Sequence, residues 1–208
     1  MIEPAPVVFI VDDDEAVRDS LRLLLKSVGL NPLTLASAQE FLTAYDPAHP
    51  GCVVLDVRMP QMSGLEVQEQ LNLRGAPIPV IFITGHGDIP MAVEAMQAGA
   101  FDFLQKPFRD QDLIDRIQRA LEKDRATRAT LGERGLLRER FESLTPRERE
   151  VLALVVAGKP NKIMAADLNV SQRTVEIHRA RAMEKMGASS LAQLVRMMMD
   201  LDEKTTTR

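Results

Sequence analysis

The sequence has 208 residues, 45% of them apolar and 27% charged, with a net charge of −4 and a single cysteine. That length admits one large domain or two small ones, and the composition is globular rather than disordered. The lone Cys52 excludes an internal disulfide framework and an all-cysteine metal site. The longest apolar run, Val151 to Ala157, falls far short of the roughly 18 residues that span a bilayer. The N-terminal stretch lacks the basic start of a signal peptide. A cytoplasmic protein with no membrane partner is therefore expected.

Charge divides the chain. Residues 1–124 carry a net −9 and residues 125–208 a net +5, so the two halves are suited to different partners, with nucleic acid a candidate for the second. Val7 to Val11 is a continuous apolar run, as expected of a strand buried on both faces. Val17, Leu21, Leu24, Leu25 and Val28 follow at helical spacing, with Gly29 as the stop. Leu33 to Leu35 is a second strand, and Ser37 with Glu40 forms a capping box for a second helix. Cys52 to Leu55 is a third strand and Gly64 to Leu73 a third helix. Ile78 to Ile83 is the fourth strand, with Pro79 near its start. Asp88 and Pro90 suit the start of a fourth helix ending at Gly99. Phe101 to Leu104 is the fifth strand, and a last helix begins near Asp110.

Five β-α units imply a parallel sheet covered on both faces. Ligands of such sheets bind beyond the carboxyl ends of the strands. Polar residues cluster at those ends: Asp12, Asp13 and Asp14 after strand one, Asp56 after strand three, Thr84 after strand four, and Lys106-Pro107 after strand five. Converging carboxylates repel unless a cation lies among them. Oxygen-only ligands with room for water favour Mg²⁺. A carboxylate, a magnesium ion, a hydroxyl and an ammonium together form a receptor for a phosphoryl group. Taken singly, Asp14 reads as a helix cap, Lys106 as a surface lysine and Cys52 as a core residue; the joint pattern points to chemistry.

Val11-Asp12-Asp13-Asp14, Leu55-Asp56-Val57-Arg58-Met59-Pro60, Met62-Ser63-Gly64, Ile83-Thr84-Gly85 and Lys106-Pro107-Phe108 resemble the receiver domain of two-component response regulators, over about residues 5–122. The resemblance implies the doubly wound strand order 2-1-3-4-5 and phosphorylation of Asp56 by a sensor histidine kinase. It implies a Mg²⁺ ion held by Asp12, Asp13, Asp56 and the backbone carbonyl of Arg58. Lys106 would pair with the phosphoryl oxygens, and Thr84 would donate to them afterwards. A cis peptide would precede Pro107. Thr84 and Phe103 would act as switch residues that reshape helix four and strand five for dimerisation. Arg58 and His86, each two residues beyond a site residue, would tune phosphoryl lifetime.

From Glu122 to Glu142 charges dominate, and Gly132 and Gly135 interrupt the apolar pattern, which reads as a solvated helical linker (residues 123–141) broken at the glycines. Leu131, Leu136, Leu137 and Phe141 could form a weak seam with a partner helix. Residues 142–201 then read as four short helices. Thr145-Pro146-Arg147-Glu148 opens the first, which Gly158 ends. The second spans about Asn161 to Leu168. Ser171 caps the third, which runs to Met186 before Gly187, and the fourth starts near Ser189. The second and third have helix-turn-helix proportions.

At about 100° per residue, Val175, Ala182 and Met186 fall on one side of the third helix with His178 beside them, the latter as a core histidine rather than a metal ligand. The other side carries Arg173, Glu176, Ile177, Ala180, Arg181 and Glu184. Ile177 could contact a thymine methyl, Glu176 could accept from cytosine N4 and Arg173 could grip guanine. Lys162, Arg179, Arg181 and Lys185 are placed for phosphates.

Leu144 to Leu152, Gly158-Lys159, Asn161-Lys162-Ile163, Ala165 and Ser171 to His178 resemble the LuxR-type DNA-binding domain in the arrangement of NarL/FixJ regulators. Gly85-His86-Gly87-Asp88-Ile89-Pro90 is most similar to the FixJ branch. Several relatives carry lysine at the positions of Glu176 and Ala180, so base preference does not transfer. The resemblance implies double-stranded promoter DNA as a ligand, read by the residues named above together with Thr174. It further implies a homodimer on phosphorylation, RNA polymerase as a partner, and no dedicated enzymatic activity beyond autodephosphorylation. Two other readings stay open. One is a Mg²⁺-dependent phosphatase using Asp12 and Asp14, which have the spacing of a nucleophile and an acid/base aspartate. The other is a C-terminal module that binds protein instead of DNA.

Overall fold

A computed structural model describes residues 4–85 and 89–202. Five parallel strands, β1 (Val7–Val11), β2 (Asn31–Leu35), β3 (Gly51–Asp56), β4 (Val80–Thr84) and β5 (Asp102–Gln105), form one sheet in the order β2-β1-β3-β4-β5. Between them run α1 (Glu15–Ser27), α2 (Ala38–Ala44), α3 (Gly64–Leu73) and α4 (Ile89–Gln97), and α5 (Asp110–Glu142) follows. The doubly wound five-stranded sheet with order 2-1-3-4-5 is therefore as expected.

Alternate strand residues point to opposite faces. Phe9, Val11, Val53, Leu55 and Phe82 meet Phe41 of α2, Val67 and Leu71 of α3, and Ala95 of α4. Val8, Ile10, Val54, Ile81 and Ile83 meet Leu21 and Leu25 of α1 and Leu113 and Ile117 of α5. With both faces covered, the central strands must be apolar throughout, which is why they lack the alternation of a half-exposed strand. β2, at the edge, is only partly buried and tolerates Pro32.

Several boundaries differ from the sequence reading. β4 starts at Val80, because Ile78 and Pro79 lie before the ladder, although the Pro79 carbonyl still accepts from Val53 N at 3.0 Å. β5 is displaced by one residue, to Asp102–Gln105, and β2 is two residues longer at its start. Ser37 caps α2, but Glu40 reaches back to Ala36 N (2.9 Å) rather than to Ser37. Asp88, expected to cap α4, lies outside the described residues, as does His86; Pro90 is in the first turn of α4.

The largest difference is α5, which runs unbroken through Gly132 and Gly135. Each glycine costs a helix interior about 1 kcal/mol relative to alanine, and strong helix formers on both sides carry the helix across. Leu131 and Leu136 remain exposed.

The chain divides into two compact units, residues 1–129 and 130–208. The second is all-helical: the end of α5, then α6 (Pro146–Val156), α7 (Asn161–Asp167), α8 (Gln172–Met186) and α9 (Leu191–Asp202). Its core joins Leu137, Leu144, Val151, Leu152, Val155, Met164, Val175, Ala182, Met186 and Leu194. Thr145 and Glu148 form a full capping box at α6. Gly187 ends α8 at φ 68°, a left-handed conformation that favours glycine. α9 begins at Leu191, two residues later than expected, with Ser190 Oγ accepting from Gln193 N. Among the described residues no helix is long and apolar enough to cross a membrane.

Candidate functional site

The sheet order reverses direction at β1, whose two neighbours are β2 and β3, so the carboxyl ends of β1 and β3 frame the crevice where such sheets bind ligands. Asp12 follows β1, Asp56 ends β3, Thr84 ends β4 and Lys106 follows β5. The register sets Val11 beside Leu55, Asp56 beside Ile83 and Thr84 beside Gln105. Residues up to 94 positions apart are thereby brought together: Lys106 Nζ donates to Asp12 Oδ2 at 2.7 Å and to Asp56 Oδ1 at 3.0 Å.

The carboxylates are almost enclosed, Asp12 at 1% and Asp56 at 7% exposure. The backbone fixes their remaining oxygens. Asp14 N donates to Asp12 Oδ1 at 2.9 Å, and Arg58 N donates to Asp56 Oδ2 at 2.7 Å. Burial pushes the Asp56 carboxyl above the ordinary aspartate range, against the opposing pull of Lys106 and the Arg58 amide. Burial also disfavours the Lys106 ammonium, yet its hydrogen bonds and attraction to Asp12 and Asp56 outweigh that and leave its pKa raised. The pocket thus holds an ionised lysine between two carboxylates, an arrangement that binds the oxygens of an incoming group at one end and offers a nucleophilic oxygen at the other.

Glycine is required at the α3 side of this pocket. A Cβ at Gly64 would lie 2.4 Å from the backbone oxygen of Asp56, so only hydrogen lets α3 start against the end of β3. Arg18, which the sequence reading missed, donates from Nη1 to the Asp12 carbonyl at 2.8 Å. Its position four residues after the cap Asp14, on the first turn of α1, is the signal that could have marked it. The Lys106–Pro107 peptide is cis, as the resemblance implies. Thr84 is buried, and its carbonyl accepts from Lys106 N at 2.8 Å. Phe103 is half-buried, its ring 6.5 Å from that of Phe82.

Asp13 and Arg58 are exposed at the rim. No three acidic, histidine or cysteine side chains among the described residues are gathered into one cation-holding group. The donor set is nonetheless all oxygen, and two enclosed carboxylates that already share one positive charge fit a hard divalent ion. Asp14 caps α1 by accepting from Ala16 N and Val17 N, which leaves it occupied with the helix rather than offered as an acid. Burial pushes the Cys52 thiol far up and makes it inert.

In the second unit, Ser171 Oγ caps α8 at Thr174 N (3.1 Å). Arg173, Glu176, Ile177, Ala180 and Arg181 are exposed on α8, as is Lys162 on α7, and Thr174 is half-buried. Val175, Ala182 and Met186 face the core, and His178 is half-buried beside them. Two of the basic residues are otherwise engaged. Arg179 Nη1 donates to Asn161 Oδ1 at 3.2 Å, and Lys185 Nζ donates to Glu148 Oε2 at 2.7 Å and to the Ser143 carbonyl at 3.3 Å.

Family comparison matches a stretch of the chain in each of the two units. Residues 8–118 match the response regulator receiver domain, and residues 142–198 match the LuxR family of bacterial regulatory proteins. The chain is 49% identical to nodulation protein W of Bradyrhizobium diazoefficiens, covering 92% of this chain and 84% of that one. It is 50% identical to the transcriptional regulatory protein FixJ of Rhizobium meliloti, with 91% and 93% covered. Among solved structures it is similar to the response regulator StyR, with 46% identity, a TM-score of 0.86, and 94% and 99% of the two chains covered. Relatives of this kind are transcriptional regulators, not dedicated enzymes. A pocket of two carboxylates and a lysine at the carboxyl edge of a 2-1-3-4-5 sheet and an exposed second helix of a helix-turn-helix thus coincide with these matches: the chain belongs to the response regulators that join a receiver domain to a LuxR-type DNA-binding domain.

Proposed function

We propose that a sensor histidine kinase transfers a phosphoryl group to Asp56, and that the phosphorylated chain dimerises and binds promoter DNA, activating transcription through contact with RNA polymerase. The observation that carries this reading is the Lys106 ammonium held at once by Asp12 and Asp56. In the transfer, the P–N bond of a phosphohistidine breaks and an O–P bond forms to a carboxylate oxygen of Asp56. Lys106, released from Asp56, then pairs with the phosphoryl oxygens, and the Thr84 hydroxyl donates to them. Receiver domains generally bind Mg²⁺ at this site. Here Asp12, Asp13, Asp56 and the Arg58 carbonyl would hold it, and when bound it neutralises charge building on the phosphoryl oxygens.

Phosphorylation favours whichever receiver conformation gains the new contacts. Support for a receiver dimer lies in α4, where Ile89, Val93 and Met96 are exposed at spacings of four and three, one helical stripe next to β5 and its Phe103. Joining two DNA-binding units raises affinity for paired half-sites by effective concentration. On α8, Arg173, Glu176, Ile177 and Ala180 are assigned to base edges, with Thr174, Arg179 and Arg181, and Lys162 of α7, as candidates for the backbone.

The test is incubation with acetyl phosphate and Mg²⁺. One phosphoryl group should be incorporated, absent in Asp56→Asn, and should convert monomer to dimer and raise affinity for duplex DNA. Equal incorporation by Asp56→Asn would overturn the assignment.

A further inference from the structure

The polar contacts at the C-terminal end of α8 do not suit a surface offered to DNA. Lys185, in the last turn, lies against the N-terminus of α6: the Glu148 oxygen that accepts from it also accepts from Thr145 N at 2.9 Å, within the α6 capping box. Glu148 is buried, at 3% exposure. From the other side Arg140, on α5, donates from Nη1 to the Met186 carbonyl at 3.3 Å. The last carbonyls of a helix have no partner of their own, and a cation there also meets the negative end of the helix dipole. The fit is close, since a Cβ at Gly187 would lie 2.8 Å from Arg140 Nη1. Leu137 of α5 and Met186 of α8 share the core beneath these contacts, with Phe141 packed on it.

We infer that Arg140 and Lys185 are positioning residues for DNA recognition: they clamp the C-terminal end of α8 to α5 and α6, and Lys185 is not a phosphate contact. The inference rests on the reading that α8 enters DNA. A helix that reads base edges through its N-terminal half must be held at a fixed tilt. Arg181, exposed on α8, is then the basic residue placed to meet a phosphate, while Lys185 and Arg140, exposed but engaged with Glu148 and the Met186 carbonyl, hold the angle.

The experiment uses the full chain and two kinds of DNA, a random-sequence duplex and duplexes selected from a random library by the wild-type protein. Binding is measured across a salt series. Each phosphate contact contributes about 0.9 to the slope of log K against log salt. Lys185→Met should leave the slope unchanged and cut discrimination between selected and random DNA by about five- to twentyfold. Arg140→Met should do the same, with Arg140→Lys restoring part of the discrimination. Arg181→Met should lower the slope by about 0.9.

Glu148→Gln severs the Lys185 ion pair while keeping every basic residue and the size of the side chain. It should reproduce the loss of discrimination at constant slope, which guards against a Lys185 variant that fails to fold. A slope reduced by about 0.9 in Lys185→Met, or full discrimination in Glu148→Gln and Arg140→Met, would overturn the inference. A wild-type chain with no salt-dependent DNA binding would instead overturn the reading of α8 itself.

Discussion

Replacing Lys106 by Met tests the electrostatics of the receiver pocket directly. The lysine is the shared partner of Asp12 and Asp56, whose side chains are 2% and 9% exposed. Removing one member of a buried ion pair costs about 3–5 kcal/mol, because the remaining charge stays buried. The Lys106 side chain keeps 23% exposure, so water entering the vacated space should bring the loss to about 2–3 kcal/mol. Urea unfolding of the full chain measures it, with the receiver transition identified by exchange protection of the β1 and β3 amides. Mg²⁺ at a hundred times its dissociation constant adds about 2.7 kcal/mol to a fold that binds it, and should therefore restore most of the stability lost. Adding Asp12→Asn to the variant removes half of the uncompensated charge and should recover at least about 1 kcal/mol, within the range of coupling between contacting residues. A Lys106→Met protein that unfolds at the wild-type urea concentration, or one that Asp12→Asn destabilises further by its full separate cost, would refute the shared-charge account.

Arg128→Met should cost about 3 kcal/mol, since Arg128 Nε is bound at 2.7 Å to Asp124 Oδ2, the buried acceptor of Gly51 N; a loss under about 1 kcal/mol in urea unfolding would contradict it. The ion pair with Lys185 and the Thr145 amide hold the Glu148 carboxyl down to about 2, against an ordinary value of 4.5. A depressed carboxyl adds stability that is complete above its unfolded value and is lost as pH falls through the folded one. The helical unit should therefore weaken between pH 4.5 and about 2, and Glu148→Gln should flatten that window in acid titrations followed by circular dichroism. Gly132→Ala and Gly135→Ala should each strengthen α5 by about 0.8–1.0 kcal/mol, because a Cβ at either meets nothing within 4 Å. Amide exchange over residues 129–136 should slow about fivefold per substitution, and unchanged exchange would show that the segment does not open by local unwinding.

The parts of the fold that were legible in the sequence are those set by burial period and edge chemistry. β1, β3 and β4 are covered on both faces and therefore read as apolar runs, and Asp12, Asp56 and Thr84 announce the carboxyl edge because each directly follows or ends such a run, with Lys106 directly after the shorter, mixed β5. What the sequence obscured depends on tertiary partners. Local propensity places a break at Gly132 and Gly135, but a helix with strong formers on either side bridges them. Lys185 looks like one more basic residue on a basic helix, and only the packing of α6 against α8 brings Glu148 to it. Arg18 and Arg140 donate to backbone carbonyls, a partner that leaves no complementary side chain in the sequence to search for. Asp13, adjacent to Asp12 and chemically identical, is exposed where Asp12 is buried, a difference that their shared side chain does not announce.

The aromatic corner under α2 gives the molecule an optical label of its own. Tyr45 is the sole tyrosine and there is no tryptophan. Its ring stacks on Phe41 with centroids 5.7 Å apart and meets Phe9 edge-on, while burial, ahead of the neighbouring Arg128 and Asp124, holds its hydroxyl above the usual phenol range. Ultraviolet emission at tyrosine wavelengths thus originates wholly in residues 1–129, and the helical unit stays dark. A titration watched by that light follows the seam between α2 and the middle of α5 alone, so the two halves can be told apart without attaching a dye.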